Sequence, residues 1–303
     1  MTIFKLEARL QSEIGLIIEY LIELIKALFL IEPIILFRTL DKLDSRRQQI
    51  QEVFDFTGEI DSALAIQALR LETSSYCLPT IQANQKYIHA VAVYHPLVYQ
   101  AVTNDIGISQ KSVLLTGSNM SGKSTFIRAV GINVILGLTI NTCFAREFVT
   151  PRMKVHSAIR VSDDLLNEKS YYFEEVLTIK NLLAESVCAP GNLFLLDELF
   201  KGTNTIERIA TGKAVLNYLN NGPNLVLVST HDLELAGYLG ETFDLYHFSE
   251  QLEKQEILFD YKLKRGILVN TNAIRILELN AYPPQVITDA LQTAQQLKNE
   301  KLL

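Results

Sequence analysis

Three clusters of polar residues, each placed where a short apolar run ends, have the residue types and spacing for phosphate chemistry. Gly117-Ser118-Asn119-Met120-Ser121-Gly122-Lys123-Ser124 fits the pattern G-x-x-x-x-G-K-[ST], and Thr125 follows it. In such a loop the backbone N–H groups and a helix N-terminus face phosphate oxygens. Lys123 brings mobile positive charge, and the Ser124 hydroxyl can hold Mg²⁺. The second cluster is Asp197-Glu198, directly after Leu193-Phe194-Leu195-Leu196 and 74 residues beyond Lys123. Asp197 suits a Mg²⁺ ligand, bound directly or through water, and Glu198 suits the general base that polarises an attacking water. The third is His231, after the run Asn224-Leu225-Val226-Leu227-Val228-Ser229-Thr230. It can reach a γ-phosphate or the attacking water.

These residues need strands to carry them. Val113-Leu114-Leu115-Thr116 reads as a buried strand entering the glycine loop, and Thr125 to Val130 opens the helix leaving it. Four-residue apolar runs such as Leu193–Leu196 read as strands covered on both faces. In open α/β sheets, ligands sit beyond the carboxyl ends of such strands. From Gln85 onward short apolar runs alternate with helix-length segments, which predicts an α/β fold with a mainly parallel sheet. His89–Tyr94 and Ser112–Thr116 are predicted strands. Phe243–His247 and Glu256–Leu263 are expected as two antiparallel strands, and Asn272–Leu279 and Pro284–Lys298 as a helix pair. Residues 1 to about 80 read as helical, with Pro33 breaking one run and a turn within Asp41–Gln51. The expected division is a helical segment over 1–84 and an ATPase-like α/β domain over 85–303.

The 303 residues carry 28 Lys and Arg against 34 Asp and Glu, 28 − 34 = −6, which excludes a chain gripping DNA with its whole surface. Cys77, Cys143 and Cys188 are odd in number and far apart, so neither a disulfide framework nor a zinc site is expected. They fit buried thiols in a reducing, cytoplasmic compartment. Met1 to Leu10 lacks the pattern of a signal peptide. Ile14–Ile31 holds twelve Leu, Ile or Phe residues. On the insertion scale these are worth about −5 kcal/mol, against roughly +3 for each of Glu19, Glu23 and Lys26. An amphipathic helix is therefore expected, not a spanning one.

The three clusters together resemble the ATPase domain of the MutS family of DNA mismatch repair proteins, a branch of the ABC-type P-loop ATPases. The family loop G-[PS]-N-M-[SG]-G-K-S-T is followed throughout Gly117–Thr125, Asn-Met included. The family's D-E-[LI]-G-R-G-T-S-T appears as Asp197-Glu198-Leu199-Phe200-Lys201-Gly202-Thr203-Asn204-Thr205, and Thr230-His231 stands where the family has Thr-His. Ser162-Asp163-Asp164-Leu165 with Lys169-Ser170 resembles its D-D-L-x-x-x-x-S run, and His95-Pro96 its opening. Gly266, Ala273-Ile274 and Pro284-Gln285-Val286-Ile287 resemble its closing segment, so the similarity runs from about Tyr87 to Lys298. Ile60–Leu64 looks like the end of the helical levers that precede the domain.

The resemblance implies an ATPase using ATP and Mg²⁺, with no other small-molecule substrate. Lys123, Glu198 and His231 would be catalytic, residues 117–125 would hold nucleotide, and Ser124 and Asp197 would hold the metal. It further implies a homodimer with composite sites, in which Ser170 offers its hydroxyl and a helix N-terminus to the γ-phosphate of the other subunit, with Thr203–Thr205 at the same interface. DNA, mismatched or branched, would be held through regions outside this chain. Mismatch-recognising members carry further domains that 80 helical residues cannot hold, so a fragment or a shortened relative is expected.

The departures are Phe200-Lys201 for Gly-Arg and Tyr171-Tyr172 for Thr-Phe. Ala101 stands where the family places an adenine-stacking aromatic, which leaves Tyr99 and Val102 as candidates. A rival reading is an ABC-type ATPase docked to a membrane or protein through Ile14–Leu40. The Leu-Ser-Gly-Gly-Gln run of a transporter engine is absent from the sequence.

Overall fold

In the computed structural model the described residues are 2–73, 75–82, 86–118, 120–159, 171–188, 191–253, 256–268 and 273–300. Asn119 and the whole run from Ser162 to Ser170 lie outside them. Chain contacts divide the protein into two units, Met1–Glu72 and Thr73–Leu303.

The first unit consists of helices α1 (Thr2–Leu28), α2 (Ile31–Ser45) and α3 (Arg47–Glu72). The break between α1 and α2 falls before Pro33, at Leu30, whose φ is +50°. Pro33 itself sits in the first turn of α2, where an N–H has no intrahelical acceptor and its absence costs little. The turn expected within Asp41–Gln51 is Arg46, which donates its N–H to Leu43 O. Neither α2 nor α3 buries a residue, and Leu16, Ile17, Leu24, Phe54 and Phe56 are more than half exposed.

The second unit starts at Thr73. Cys77 pairs with Cys143 in an antiparallel bridge, and β1 (Thr80–Gln82) pairs with β5 (Glu147–Pro151). With β2 (Tyr87–Val93) and β3 (Asn104–Ser109) they form a mixed four-stranded sheet in the order β1-β5-β2-β3. Only the β1–β5 pair in it is parallel.

The larger sheet has six strands. It comprises β4 (Ser112–Thr116), β6 (Lys154–Ala158), β7 (Asn192–Asp197), β8 (Leu225–Ser229), β9 (Phe243–His247) and β12 (Lys264–Arg265). Their order is β12-β9-β4-β8-β7-β6, and every pair except β12–β9 is parallel. The fold is thus α/β with mixed sheets. Phe243–His247 does not pair with Glu256–Leu263: it lies between β4, to which it is parallel, and β12, to which it is antiparallel, while β10 (Glu250–Glu253) is the antiparallel partner of β11 (Glu256–Phe259).

Alternate strand residues serve two cores. Val113, Leu115, Leu193, Leu195, Leu225 and Leu227 pack with the helix α4 (Lys123–Ile140) and the smaller sheet. Leu114, Phe194, Leu196, Val226 and Val228 pack with α5 (Tyr171–Glu185), α6 (Thr205–Leu219) and α7 (Leu233–Leu239). Coverage on both faces is why these strands are unbroken apolar runs. Among the described residues, only α4 is long and apolar enough to cross a membrane, and half of it is buried in this core. At the chain's end α8 (Ala273–Leu279) and α9 (Pro284–Glu300) contact each other.

Candidate active site

Register brings the clusters together. Leu115 and Asp197 both pair with Ser229, on either side of β8, so the strands β4, β8 and β7 finish level with one another. Directly beyond these ends stand the glycine loop after β4, Thr230 and then His231 after β8, and Glu198 after β7.

The loop is built for close backbone approach. A Cβ at Gly117, where φ is +144°, would lie 2.6 Å from Phe248 O. Gly122, at φ +104°, turns the chain into α4. Only glycine meets both demands without strain. Lys123 is 5% exposed and donates to the loop's own carbonyls, Gly117 O at 2.9 Å and Ser118 O at 2.7 Å. Burial lowers its pKa, opposed by the charges of Glu198 and Asp197. Ser121 Oγ donates to Ser118 O at 2.8 Å, and Ser118 Oγ donates to Glu250, a largely buried carboxylate. Met120 is exposed with φ +67°, and Thr125 lines the cleft beside the loop.

Asp197 is bracketed by two hydroxyls. Ser124 Oγ donates to Oδ2 at 2.6 Å, and Ser229 Oγ donates to Oδ1. One carboxylate and one hydroxyl, both hard oxygen donors at the foot of a phosphate loop, fit Mg²⁺, which keeps several waters and takes its other ligands from phosphates. Glu198 follows in the left-handed region, φ +55°, with its N–H held by Ser229 O at 3.0 Å. Its Oε1 lies 2.5 Å from His231 Nε2, and its Oε2 is paired with Lys201. Burial pushes this carboxyl's pKa up, but hydrogen bonds and charge from His231 and Lys201 outweigh burial and bring it to about 2.

Ser124, Lys123, Glu198, Tyr99 and Val102 line one cleft of about 650 Å³, with Ala101 in the same wall. Asn119 and Ser170 lie outside the described residues, so the structure places neither. Thr203 and Asn204 are engaged with α6: Thr203 Oγ1 donates to Glu207 at 2.7 Å, and Asn204 Oδ1 caps the helix through Glu207 N at 3.0 Å.

Three contributors escaped the sequence reading. Tyr261 closes the cleft above Gly122, stacked on Phe259 with 5.9 Å between ring centroids. Its segment is pinned by Asn104, which donates to Tyr261 O at 2.9 Å and accepts from Leu263 N at 2.8 Å. Glu175 of α5, 3% exposed, accepts the Phe200 N–H at 2.5 Å. Arg208 of α6 grips Asp232, the residue after His231, through two hydrogen bonds of 2.8 and 2.7 Å. No spacing signal marks any of the three.

The strand ends, the glycine loop and the paired hydroxyl and carboxylate have the donor set and arrangement that suit a phosphate group at the edge of an α/β sheet. The family model for MutS domain V matches residues 113–298, and the chain belongs to the MutS family. A DNA mismatch repair protein MutS of Listeria welshimeri is 28% identical over 267 residues, covering 84% of this chain and 30% of the relative. The MutS of Clostridium botulinum is 27% identical over 276 residues, 86% of this chain and 29% of its own. The DNA mismatch repair protein MSH3 of Vanderwaltozyma polyspora is 27% identical over 268 residues, 83% of this chain and 26% of its own. The chain therefore spans less than a third of the length of these curated relatives.

Proposed function

We propose that this chain is the ATP-hydrolysing part of a DNA mismatch repair protein, with the α/β unit a P-loop ATPase of ABC type. The observation that supports the reading is the level finish of β4, β7 and β8, with Lys123, Ser124 and Glu198 lining one cleft and Asp197 and His231 behind them, bonded to Ser124 and Glu198.

In this reading the triphosphate lies along Gly117–Thr125, and Lys123 exchanges its two carbonyl partners for phosphate oxygens. That exchange is favourable because a buried ammonium gains an anionic partner. Ser124 and Asp197 would hold Mg²⁺, which neutralises charge developing on the transferred phosphoryl group. Glu198 positions and deprotonates the attacking water. A carboxylate with a pKa of about 2 is a weak base, so its efficiency depends on loosening the hold of Lys201 as nucleotide arrives. His231 then remains to stabilise the proton on Glu198 or to contact the γ-phosphate. The adenine lies against the wall formed by Ala101, Val102 and Tyr261, where Tyr261 supplies the aromatic face that position 101 lacks and Tyr99, 89% exposed, stands at the rim.

Two copies acting together would complete each site with Ser170 of the other, and nucleotide state would set the geometry of elements that hold mismatched or branched DNA outside this chain. A reducing, cytoplasmic setting suits the free thiols. The direct test is ATP turnover by Lys123→Ala and Glu198→Ala proteins. Each is expected to lose at least 100-fold in kcat, roughly the size of effect that general-base catalysis and charge stabilisation supply. Undiminished hydrolysis in both overturns the reading.

A further inference from the structure

We propose that the Arg208–Asp232 pair is a positioning element that holds His231 against Glu198 during ATP hydrolysis; this rests on the catalytic reading of those two residues. His231 stands on the short stretch between β8 and α7, and its neighbour Asp232 occupies the N-cap position of α7. An aspartate there ordinarily accepts an N–H from its own helix. Asp232 makes no such side-chain cap bond. Its carboxylate is turned instead to Arg208, which meets both oxygens: Nε reaches Oδ2 at 2.8 Å and Nη2 reaches Oδ1 at 2.7 Å.

This two-pronged geometry fixes direction as well as distance, which a single hydrogen bond or a lysine ammonium does not. The side chains are 24% and 15% exposed, so the pair is shielded beyond an ordinary surface ion pair. Arg208 also touches the other catalytic loop, with longer contacts from Nη1 to Thr203 O at 3.5 Å and from Nη2 to Thr205 Oγ1 at 3.4 Å. On the His231 side, Thr230 Oγ1 accepts the Asp232 N–H at 3.0 Å and keeps the turn tight.

The result is a closed ring. Glu198 meets His231, His231 is joined to Asp232, Asp232 is gripped by Arg208, and Arg208 returns to the loop that begins at Glu198. The loops after β7 and β8 therefore move as one body, and the 2.5 Å approach of His231 to Glu198 is held from behind. Of this ring only Glu198 lines the cleft, so Arg208 and Asp232 act through His231 and its contact with Glu198 and not by touching nucleotide.

The test uses Arg208→Gln, Asp232→Asn and the double variant, with Arg208→Lys as the conservative control. Each single variant is expected to lower kcat about tenfold while KM for ATP stays within about twofold. The double variant should lose no more than the worse single one, because the two residues act as one unit. Arg208→Lys should fall between wild type and Arg208→Gln. Deuterium uptake should rise in peptides covering 198–204 and 230–233 of both single variants and stay unchanged in β4. Turnover within twofold of wild type in both single variants, or exchange unchanged in both loops, overturns the proposal. If the wild-type protein hydrolyses no ATP, the catalytic reading falls, and the exchange measurement still decides whether the pair fixes the two loops.

Discussion

Replacing Glu175 by alanine separates the turn that carries Glu198 from the helix behind it. Glu175 and Phe200 are each 3% exposed, and their hydrogen bond measures 2.5 Å. Alanine leaves the Phe200 N–H without its acceptor in a water-free setting, which costs about 1–3 kcal/mol. The turn cannot absorb that loss easily. Glu198 and Phe200 both have positive φ, +55° and +59°, and a left-handed conformation at a residue with a side chain costs on the order of 1–3 kcal/mol. The anchor is thus about as strong as the strain it opposes at one residue. Its removal should let the turn relax and carry Glu198 away from the cleft. The melting temperature should fall by about 2–4 °C for each kcal/mol lost, given the size of the unit. Turnover should fall about tenfold for every 1.4 kcal/mol needed to restore the turn, with KM for ATP little changed. Glu175→Gln keeps a carbonyl oxygen for Phe200 and should retain most activity. Differential scanning calorimetry and steady-state ATPase assays read both quantities. An alanine variant with wild-type melting and wild-type kcat would refute the anchoring role.

Three further outcomes follow from the same geometry. Glu198 has its pKa depressed to about 2 from an ordinary 4.5, so its pairs with His231 and Lys201 stabilise the fold fully above that ordinary value, and the contribution disappears as pH falls towards 2. Acid unfolding of Glu198→Gln should therefore show a shallower loss of stability across that window than wild type; coincident curves would contradict it. Asp197→Asn removes the carboxylate shared by Ser124 and Ser229, and should abolish the Mg²⁺ dependence of nucleotide binding measured by fluorescent ATP titration, with unaltered Mg²⁺ enhancement as the contrary result. Tyr261→Ala removes the aromatic wall of the cleft. An aromatic–base stack is worth about 1–3 kcal/mol, so KM for ATP should rise roughly 5- to 150-fold, whereas Tyr99→Ala, at a residue 89% exposed, should change it little.

What the sequence made visible and what it hid have a common physical cause. The runs Val113–Thr116, Leu193–Leu196 and Leu225–Val228 are readable because burial on both faces forbids polar interruption, and the first polar residues after them must stand at the sheet's edge. The positions of Lys123, Asp197, Glu198 and His231 at the strand ends are therefore legible along with the strands that present them. The strand β9 was misjudged for the complementary reason. Only Phe243 and Tyr246 of Phe243–His247 are buried, so its apolar content looks like that of a half-exposed antiparallel strand, and only the sheet shows it parallel to β4 on one side and antiparallel to β12 on the other. The segment after Thr73 is tied to the α/β unit by the bridge of Cys77 with Cys143 and by the pairing of β1 with β5, across gaps that no local pattern reports. Glu175 and Phe200 are 25 residues apart, and Arg208 and Asp232 are 24 apart, both pairs joining helices to strand-end loops. Periodicity specifies which face of an element is buried, but not which charged side chain a neighbouring element sends to meet it. The candidate catalytic groups lie at strand ends and can be found from one segment at a time. The groups that hold them in place arrive from other elements, and they become visible only when the sheet has set those elements side by side.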